Sequence, residues 1–313
     1  MVTDTILFGD CRETLKEFDG KARMCVTSPP YYGLRDYGGE EKQIGQEQTP
    51  EEYVQSLVEV FRSVRDVLTD DGTLWLNIGD SYYNYRPGKG QAYPKQTVSK
   101  TNQDLPQECN KRGRKLEGIK EKDLIGIPWM LAFALRSDGW YLRQDIIWHK
   151  PNPMPESVKD RCTKSHEYIF LFSKSKKYFY DNEAIKEPVK QDWGTRDRTK
   201  GKYHNVGTGL SPHSGLSKSY TTKNKRSVWS VTNKPYKGAH FAVYPPDLIE
   251  PCIKAGSEEG DIVLDPFMGS GTTALVAKSL QRHYIGCELH EEYGKLIQKR
   301  LSEKSFARLK LDD

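Results

Sequence analysis

Short apolar runs alternate with stretches of helical periodicity along most of the 313-residue chain. Between Tyr53 and Leu68 the apolar residues recur at spacings of three and four, which predicts a helix that begins at Thr49 or Pro50. Strands that alternate with helices indicate a mostly parallel sheet with helices on both faces. The predicted strands are residues 5–8, 24–26, 73–78, 141–148, 168–172, 263–265 and 283–288, and further helices are predicted at residues 128–137, 246–255 and 273–280.

One apolar run, from Tyr168 to Phe172, is continuous rather than alternating. Such a run is typical of a strand that is covered on both faces. The aromatic segment Lys177–Tyr180 follows closely, and we expect it to pair with this strand as a hairpin. Before the run, three prolines within residues 151–155 predict a stiff loop.

The first candidate site is the turn Ser28-Pro29-Pro30-Tyr31, which follows a short apolar run. Prolines cannot donate to a strand ladder and each fixes its own φ, so the chain is held in a stiff, extended turn. The turn presents a hydroxyl, carbonyl oxygens and an aromatic ring at a sheet edge. A flat group that carries an amine would fit there, because the oxygens accept from the amine and the ring stacks on its face. A plain structural turn can have the same composition.

The second candidate site lies between Asp265 and Thr273, where a strand, a glycine-rich turn and a helix follow one another. Gly269 and Gly271 allow the backbone to approach a ligand closely, and the helix offers unpaired N–H groups. Glu288 ends the next predicted strand, where an acid typically accepts from ribose hydroxyls. These residues indicate a cofactor that contains adenosine. A Walker loop is excluded because no Gly-Lys-[Ser/Thr] is present, whereas the glycine spacing alone leaves a nicotinamide dinucleotide open.

Both sites resemble motifs of the DNA amino-methyltransferases, which methylate exocyclic nitrogens of cytosine or adenine. Residues 28–31 match the family's motif IV, [DNS]-P-P-[YFW], and residues 265–273 match its motif I, D-P-F-x-G-S-G-T-T. Motif IV precedes motif I, which is the circularly permuted order of the β group. The resemblance covers nearly the whole chain. It implies a Rossmann-like α/β fold with a mostly parallel seven-stranded sheet and one reversed strand, here within residues 170–180.

The resemblance also implies a cofactor, S-adenosyl-L-methionine, and the residues of its site. Asp10 would contact the adenine and Glu288 the ribose. Phe241, Ala242 and Pro245 would cover the methionine moiety, and residues 77–80 resemble motif V. The strand before Asp10 would lie beside the strand that ends at Glu288. Taken singly, Asp10 could also be a helix cap and Glu288 a surface residue. The full cofactor-binding set is Asp10, Phe241, Ala242, Pro245, Asp265, Pro266, Phe267, Gly269, Ser270, Gly271, Thr272 and Glu288, and the catalytic set is Ser28, Pro29, Pro30 and Tyr31.

The expected target is the N4 amine of cytosine, because S-P-P-[YF] in this family usually accompanies cytosine and D-P-P-[YFW] adenine. The N6 amine of adenine is the alternative, and an RNA methyltransferase is the rival from another substrate class. Ser28 Oγ and the Pro29 carbonyl would accept the two N–H bonds of the amine, and Tyr31 would stack on the flipped base. Methylation at cytosine C5 would instead require a Pro-Cys nucleophile. The only Pro-Cys pair lies inside a predicted helix, so we expect Cys252 to be a buried core residue.

Two segments concentrate the positive charge of a chain whose formal net charge is +5. Residues 81–123 hold ten Lys and Arg against five Asp and Glu, and residues 188–237 hold eleven against two. Such segments are typical of contact with a polyanion, here double-stranded DNA, although solvated loops share this composition. Aromatic residues among the bases of 188–237 suit nucleic-acid contact or a small core. The candidate DNA-binding residues are Lys111, Arg112, Arg114, Lys115, Arg196, Arg198, Lys200, Lys202, Lys223, Lys225 and Arg226.

These features divide the chain into five regions. They are a catalytic half with motif IV (1–80), a basic insertion (81–123), the remainder of the catalytic half (124–187), a target-recognition region (188–237) and a cofactor-binding half (238–313).

Composition limits the cellular location of the protein and the kinds of site that it can contain. No apolar run reaches the roughly 18 residues that span a membrane, and the N-terminus lacks a signal pattern. Six scattered cysteines without a Cys-x-x-Cys pair argue against a zinc site or a disulfide framework. The cysteine pattern therefore favours a reducing cytoplasm and a protein without a metal. The resemblance to the methyltransferases implies an enzyme of a bacterial or phage-infected cell, which we expect to be monomeric or homodimeric. Its expected partners are DNA and a cognate restriction endonuclease.

Overall fold

The computed structural model describes residues 3–33, 43–83, 116–189, 221–233 and 244–303. The strands are β1 (Thr5–Phe8), β2 (Ala22–Thr27), β3 (Leu68–Ile78), β4 (Tyr141–His149), β5 (His166–Ser173), β6 (Glu187–Pro188), β7 (Thr222–Lys223), β8 (Val228–Ser230), β9 (Ile262–Asp265) and β10 (His283–Glu288). The α-helices are α1 (Cys11–Thr14), α2 (Pro50–Val67), α3 (Ile127–Ser137), α4 (Pro246–Gly256), α5 (Thr272–Ser279) and α6 (Glu292–Glu303).

Eight strands form one sheet in the order β1-β10-β9-β2-β3-β5-β4-β8, and β6 and β7 form a separate pair. Only β5 runs against its neighbours in the large sheet. The expected mostly parallel sheet with one reversed strand is confirmed. It has eight strands in the described part of the chain rather than seven, because the short β8 joins its edge. The carboxyl ends of seven strands and the amino end of β5 therefore meet at one edge, called here the carboxyl edge.

The hairpin expected between residues 168–172 and Lys177–Tyr180 is wrong. Strand β5 pairs with β3 on one side and β4 on the other, so both of its edges are already used. The segment after β5 packs beside the sheet instead, where the Tyr180 ring stacks on Trp75 with the ring centroids 6.2 Å apart. A continuous apolar run indicates burial on both faces, but it does not indicate which strands are its neighbours.

Helix α2 begins as the sequence predicts. The Thr49 hydroxyl accepts from the backbone N–H of Glu52, and the Glu52 carboxylate accepts from the Thr49 N–H, which is a complete capping box. The helix ends at Val67, and β3 starts at once with Leu68, which pairs with Ala22. The strand thus begins five residues before the predicted Thr73, because Leu68 already pairs with Ala22 and the register then shifts before Thr73 pairs with Met24.

Each face of the sheet has its own buried cluster. On one face, α2 and α3 pack against alternate residues of β3, among them Leu74 and Leu76. On the other face, α4 and α5 pack around Met24, Trp75 and Val263. This alternation places helices on both faces, as predicted. It leaves the carboxyl edge as the place where loops from many strands converge, which is the usual position of a ligand site in such sheets.

The described residues include no helix that is long and apolar enough to cross a membrane. Within the same residues, no group of three or more His, Cys, Asp or Glu side chains could hold a metal ion.

Candidate active site

The two candidate sites of the sequence lie side by side. Strand β2, which leads into Ser28, pairs directly with β9, which ends at Asp265. The register aligns Met24 with Val263 and Cys25 with Leu264. The sheet therefore brings the two motifs, more than 200 residues apart in the sequence, to the same part of the carboxyl edge.

Asp265 is buried, and its carboxylate accepts hydrogen bonds from several groups of the protein. Its side chain is only 1% exposed, and four donors surround its carboxylate. Thr27 Oγ1 lies 2.6 Å and the Phe267 N–H nitrogen 3.0 Å from Oδ1, while the Tyr244 hydroxyl lies 3.0 Å and Thr273 Oγ1 2.5 Å from Oδ2. Burial raises the pKa of Asp265, and the hydrogen bonds oppose this rise. The four hydrogen bonds join the strands that carry the site, and the predicted contact of Asp265 with cofactor stays a prediction.

The glycine-rich turn leaves space for a ligand on one side. Gly269 and Gly271 both have positive φ, +52° and +79°, which favours glycine. A Cβ at Gly271 would lie 2.9 Å from the Ile297 side chain, so this glycine is required by packing. A Cβ at Gly269 would have no heavy atom nearer than 3.9 Å, the carbonyl oxygen of Phe267. The turn therefore fits a ligand that approaches the backbone at Gly269, beside the N-terminus of α5.

Glu288 lies across this open side. Its Oε2 accepts from the Gly269 N–H at 2.9 Å and its Oε1 from the His290 N–H at 3.1 Å. Burial raises the pKa of Glu288 to about 7, although the backbone donors oppose the shift. The backbone N–H of Leu289 also donates to this carboxylate, whose two oxygens have about four acceptor positions, so a position remains for a ribose hydroxyl. The carboxyl is 8% exposed and thus is no ordinary surface residue.

Asp10 lies at the position that the family order implies, and its contacts in the structure are those of a helix cap. Strand β1 pairs in parallel with β10, and Phe8 aligns with Glu288, so the predicted neighbourhood is confirmed. The Asp10 carboxylate caps α1 by accepting from the Arg12 N–H at 2.9 Å, and it pairs with the Arg12 guanidinium at 2.6 Å. The helix-cap interpretation is therefore correct, and the contact with adenine stays a prediction.

Arg300 supports the glycine-rich turn through hydrogen bonds from α6. The sequence analysis did not predict this role. This arginine of α6 is 9% exposed. Its Nη1 donates to the Ser270 hydroxyl at 2.7 Å, to the Ser270 carbonyl at 3.2 Å and to the Thr272 hydroxyl at 3.0 Å. The hydroxyls of Ser270 and Thr272 thus bind protein, and cofactor binding by these two residues stays a prediction. An amphipathic helix pattern gives no signal that one of its arginines is buried.

Two further turn residues and Pro245 flank this site. Pro266 and Phe267 follow Asp265, and the Phe267 ring packs partly against the core under α2 and α3. Pro245 is buried and precedes the first residue of α4 with φ −70°. Phe241 and Ala242, expected to cover the methionine moiety, lie outside the described residues.

Helix α2 fixes the proline turn at the end of β2. The Tyr53 hydroxyl donates to the Pro30 carbonyl at 2.8 Å, and the Gly33 N–H donates to the Gly45 carbonyl at 2.9 Å. Tyr31 then extends along the carboxyl edge, where its hydroxyl donates to Glu167 Oε2 at 2.7 Å. Glu167 belongs to the reversed strand β5 and has no signal in the sequence pattern.

The segment that resembles motif V supports the same edge. The Asp80 carboxylate accepts from the backbone N–H groups of Gly126 and Ile127 at 3.0 and 3.2 Å, and thereby caps α3. Lys164 donates to the Asp80 carbonyl at 2.6 Å, and burial lowers the pKa of this lysine. Asn77 donates to the Tyr168 carbonyl at 3.0 Å and so ties β3 to β5.

Three of the candidate DNA-binding residues belong to the described chain. Lys223 ends β7, and Lys225 and Arg226 follow it. Arg226 Nε lies 3.1 Å from Glu187 Oε2, and Lys225 Nζ lies 3.9 Å from Glu187 Oε1, so an acidic partner offsets part of their charge. Trp229, beside them, is 6% exposed and belongs to the core. The remaining candidates lie outside the described residues: Lys111, Arg112, Arg114, Lys115, Arg196, Arg198, Lys200 and Lys202.

Comparisons with known proteins show the family to which this chain is similar. Residues 22–299 match the family model of N6- and N4-methyltransferases, described as DNA methylase. The chain is 48% identical over 298 residues to the Type II methyltransferase M.XycI of Xanthomonas campestris pv. cyanopsidis, a match that covers 95% of this chain and 87% of that protein. It is 47% identical over 297 residues to the Type II methyltransferase M.SmaI of Serratia marcescens, covering 95% and 90%.

Solved structures share the fold. The PvuII DNA methyltransferase (cytosine-N4-specific) matches with a TM-score of 0.62 at 20% identity, over 100% of this chain and 91% of that chain. A putative DNA modification methylase from Thermus thermophilus, complexed with S-adenosyl-L-methionine, matches with a TM-score of 0.56 at 23% identity, over 96% and 93%.

Proposed function

The chain belongs to the DNA methylase family, and from that premise we propose that it transfers a methyl group from S-adenosyl-L-methionine to the exocyclic N4 of cytosine in double-stranded DNA. One observation carries the proposal. Ser28 follows Thr27, whose hydroxyl is bonded to Asp265 immediately before the glycine-rich turn. The Ser28 turn and the open side of Gly269 therefore belong to one site, as a transfer between two bound reactants requires.

The glycine-rich turn, the N-terminus of α5 and Glu288 would hold the cofactor, which supplies an electrophilic methyl group when bound. Gly269 gives the backbone room to approach it, and the Glu288 carboxylate accepts from the ribose hydroxyls. Asp265 and Arg300 keep the turn in shape without contacting the cofactor. In this assignment Asp265, the buried acid, organises the site, and Glu288, at the end of β10, binds the cofactor.

The proline turn would act on the target amine. Ser28 Oγ and the Pro29 carbonyl accept its two N–H bonds, which favours a pyramidal nitrogen with an available lone pair. The Tyr31 ring stacks on the base that has been turned out of the duplex. A serine hydroxyl suits this task because it accepts a hydrogen bond without adding a charge beside the base.

Covalent attack at cytosine C5 is not part of the proposal. Cys252 of the only Pro-Cys pair is fully buried inside α4, as the sequence predicts. Burial raises the pKa of its thiol far above the ordinary value, so the reactive thiolate is not formed near neutral pH. Transfer to an exocyclic nitrogen needs no such nucleophile.

The two basic segments would hold the DNA. On the basis of their charge, we assign target recognition to residues 188–237, and either phosphate contacts or contact with the second DNA strand to residues 81–123. A cognate restriction endonuclease is an expected partner.

Product analysis tests the proposal. Unmethylated plasmid DNA and RNA would be incubated with the protein and S-adenosyl-L-methionine, and the nucleosides separated by mass spectrometry. We expect N4-methylcytosine in DNA, and its loss with Ser28→Ala. N6-methyladenine without N4-methylcytosine would overturn the choice of base and leave the family assignment intact, whereas methylation confined to RNA would overturn DNA as the substrate.

A further inference from the structure

The hydroxyl of Tyr31 is held by a residue that the proposed transfer does not use. It donates to Oε2 of Glu167 at 2.7 Å, and Asn77 Nδ2 donates to the same oxygen at 3.3 Å. Gly79 packs closely against the Tyr31 ring, because a Cβ at Gly79 would lie 2.7 Å from Tyr31 Cε2 and 3.3 Å from Glu167 Cδ. Tyr31 therefore has its ring packed against a glycine and its hydroxyl fixed to a carboxylate.

The Glu167 carboxylate is itself fixed by a cation. Lys150 Nζ donates to Oε1, and the same ammonium lies 4.2 Å from the centroid of the Trp148 ring. The Lys150 and Glu167 side chains are only 17% and 15% exposed, so the pair is partly shielded from water. Asn77 of β3, Glu167 of β5 and Lys150, which directly follows β4, thus converge on one tyrosine.

We propose that Glu167, held by Lys150, is a positioning residue that fixes the orientation of the Tyr31 ring for stacking on the flipped target base. The inference rests on the proposed function and deepens it. A ring attached only through its Cβ can turn about two side-chain torsions, whereas a ring with a bonded hydroxyl has lost that freedom before the base arrives. Preorganisation of this kind raises the rate of transfer and leaves cofactor binding unchanged.

The protonation state supports this role. Burial, together with the nearby Glu167 charge, raises the pKa of Tyr31 well above its ordinary value. The hydroxyl consequently stays protonated near neutral pH and remains a donor to the carboxylate.

Kinetics on the full-length enzyme test the inference. Tyr31→Phe removes the hydroxyl and keeps the ring, and Glu167→Ala removes the acceptor. We expect each to lower kcat for methyl transfer to DNA about tenfold, because a hydrogen bond to a charged group is lost, with KM for S-adenosyl-L-methionine unchanged. The double variant should lose clearly less than the sum of the two single losses, because both changes remove the Tyr31–Glu167 hydrogen bond, although each also removes contacts of its own.

Asp138→Ala is the matched control. Asp138 is also a shielded carboxylate, 11% exposed, that pairs with a cation, Arg62 Nε at 2.7 Å. It follows α3 at the opposite edge of the sheet, so its loss should reduce stability and leave kcat unchanged.

A fluorescent readout separates positioning from mere stability. After the methylated site has been mapped, 2-aminopurine would replace the target base, and stacking on Tyr31 would quench its emission in the complex. Glu167→Ala should raise this emission at full DNA saturation. Unchanged emission and unchanged kcat in Tyr31→Phe, or additive losses in the double variant, would overturn the inference. Absence of DNA methylation by the wild-type protein would instead overturn the proposed function.

Discussion

The Thr27 hydroxyl donates a 2.6 Å hydrogen bond to the buried carboxylate of Asp265. The two residues are 238 positions apart in the chain. Thr27 immediately precedes the proline turn, and Asp265 immediately precedes the glycine-rich turn, so one hydrogen bond fixes the relative position of the two halves of the site. Neither half can shift without breaking a buried contact to a carboxylate, which is costly.

This bond predicts the effect of Thr27→Val. The substitution keeps the shape of the side chain and leaves the Asp265 carboxylate with one donor fewer. We expect the free energy of unfolding to fall by about 1–3 kcal/mol, because a buried hydrogen bond to a carboxylate is lost. Urea denaturation at pH 7 measures the loss. Thr5→Val is the control, because the Thr5 hydroxyl donates to a nearby carbonyl at 3.2 Å rather than to a buried carboxylate, and equal losses in the two variants would contradict the assigned role.

The open side of the glycine-rich turn predicts that Gly269→Ala impairs cofactor binding. The new methyl group would occupy the space beside Gly269 and would also strain a backbone with φ +52°. The strain alone costs about 1 kcal/mol of stability. The cofactor affinity, measured by calorimetry, should fall at least about tenfold, since each 1.4 kcal/mol of lost contact changes the affinity tenfold.

Gly260→Ala is the control that separates the cost of backbone strain from an effect on the cofactor site. Gly260 also has a positive φ, +83°, and a Cβ there would meet nothing within 4 Å, but it precedes β9 at the opposite edge. The Gly260→Ala variant should lose about as much stability as Gly269→Ala, and its cofactor affinity should be unchanged. A weakened affinity in Gly260→Ala, or an unchanged one in Gly269→Ala, would refute the placement of the cofactor.

Arg300→Met should weaken cofactor binding without touching the cofactor. The variant removes the donor that holds Ser270 and Thr272, so the glycine-rich turn loses its support from α6. We expect the affinity for S-adenosyl-L-methionine to fall about tenfold, as for the loss of a charged hydrogen bond. Arg282→Met is the control, because Arg282 also bonds to backbone carbonyls, of Leu280 and Ser257, but before β10. Equal affinities in the two variants would contradict the supporting role.

The stability of the protein should depend on pH through Glu288. Burial raises the pKa of this carboxyl from 4.5 to about 7, so the folded state binds its proton more tightly than the unfolded state. The resulting stabilisation is complete below about pH 4.5 and is lost as the pH rises through about 7, a change of roughly 3 kcal/mol. The difference in unfolding free energy between wild type and Glu288→Gln should therefore decrease over this range.

Cofactor affinity should change in the opposite sense. Ribose hydroxyls donate to the ionised carboxylate, so wild-type affinity should increase as the pH rises through the Glu288 pKa of about 7. Glu288→Gln should bind more weakly and lack this increase. The same pH dependence in both proteins would assign the titration to another group.

The tract Lys111–Lys115 predicts the salt dependence of DNA binding. Neutralising Lys111, Arg112, Arg114 and Lys115 should weaken binding to every DNA sequence and reduce the slope of log affinity against log salt by up to about 3.6, if each basic residue contacts one phosphate. Filter binding over a range of salt concentrations measures the slope. A change in the methylated sequence with an unchanged slope would assign the tract to base recognition instead.

The sequence by itself determined the class of fold and the two motifs. Alternation of apolar runs with helical periods requires a parallel sheet covered on both faces, because each element must bury its apolar side. Proline restricts the backbone locally and glycine permits conformations that other residues avoid, so the turns at Ser28 and Gly269 could be recognised without knowing their surroundings. The start of the helix at Thr49 and the burial of Cys252 are local in the same sense, and both predictions are confirmed.

Only the tertiary structure decided which protein groups the polar side chains of the two turns contact. Asp265, Ser270 and Thr272 belong to the binding motif by sequence, yet Thr27, Tyr244 and Arg300 occupy their polar atoms. Glu167 reaches Tyr31 only because β5 is reversed and brings its amino end to the carboxyl edge. The physical reason is that hydrogen-bond partners and strand neighbours are set by contacts between residues far apart in the chain, and periodicity records burial but not the identity of the partner.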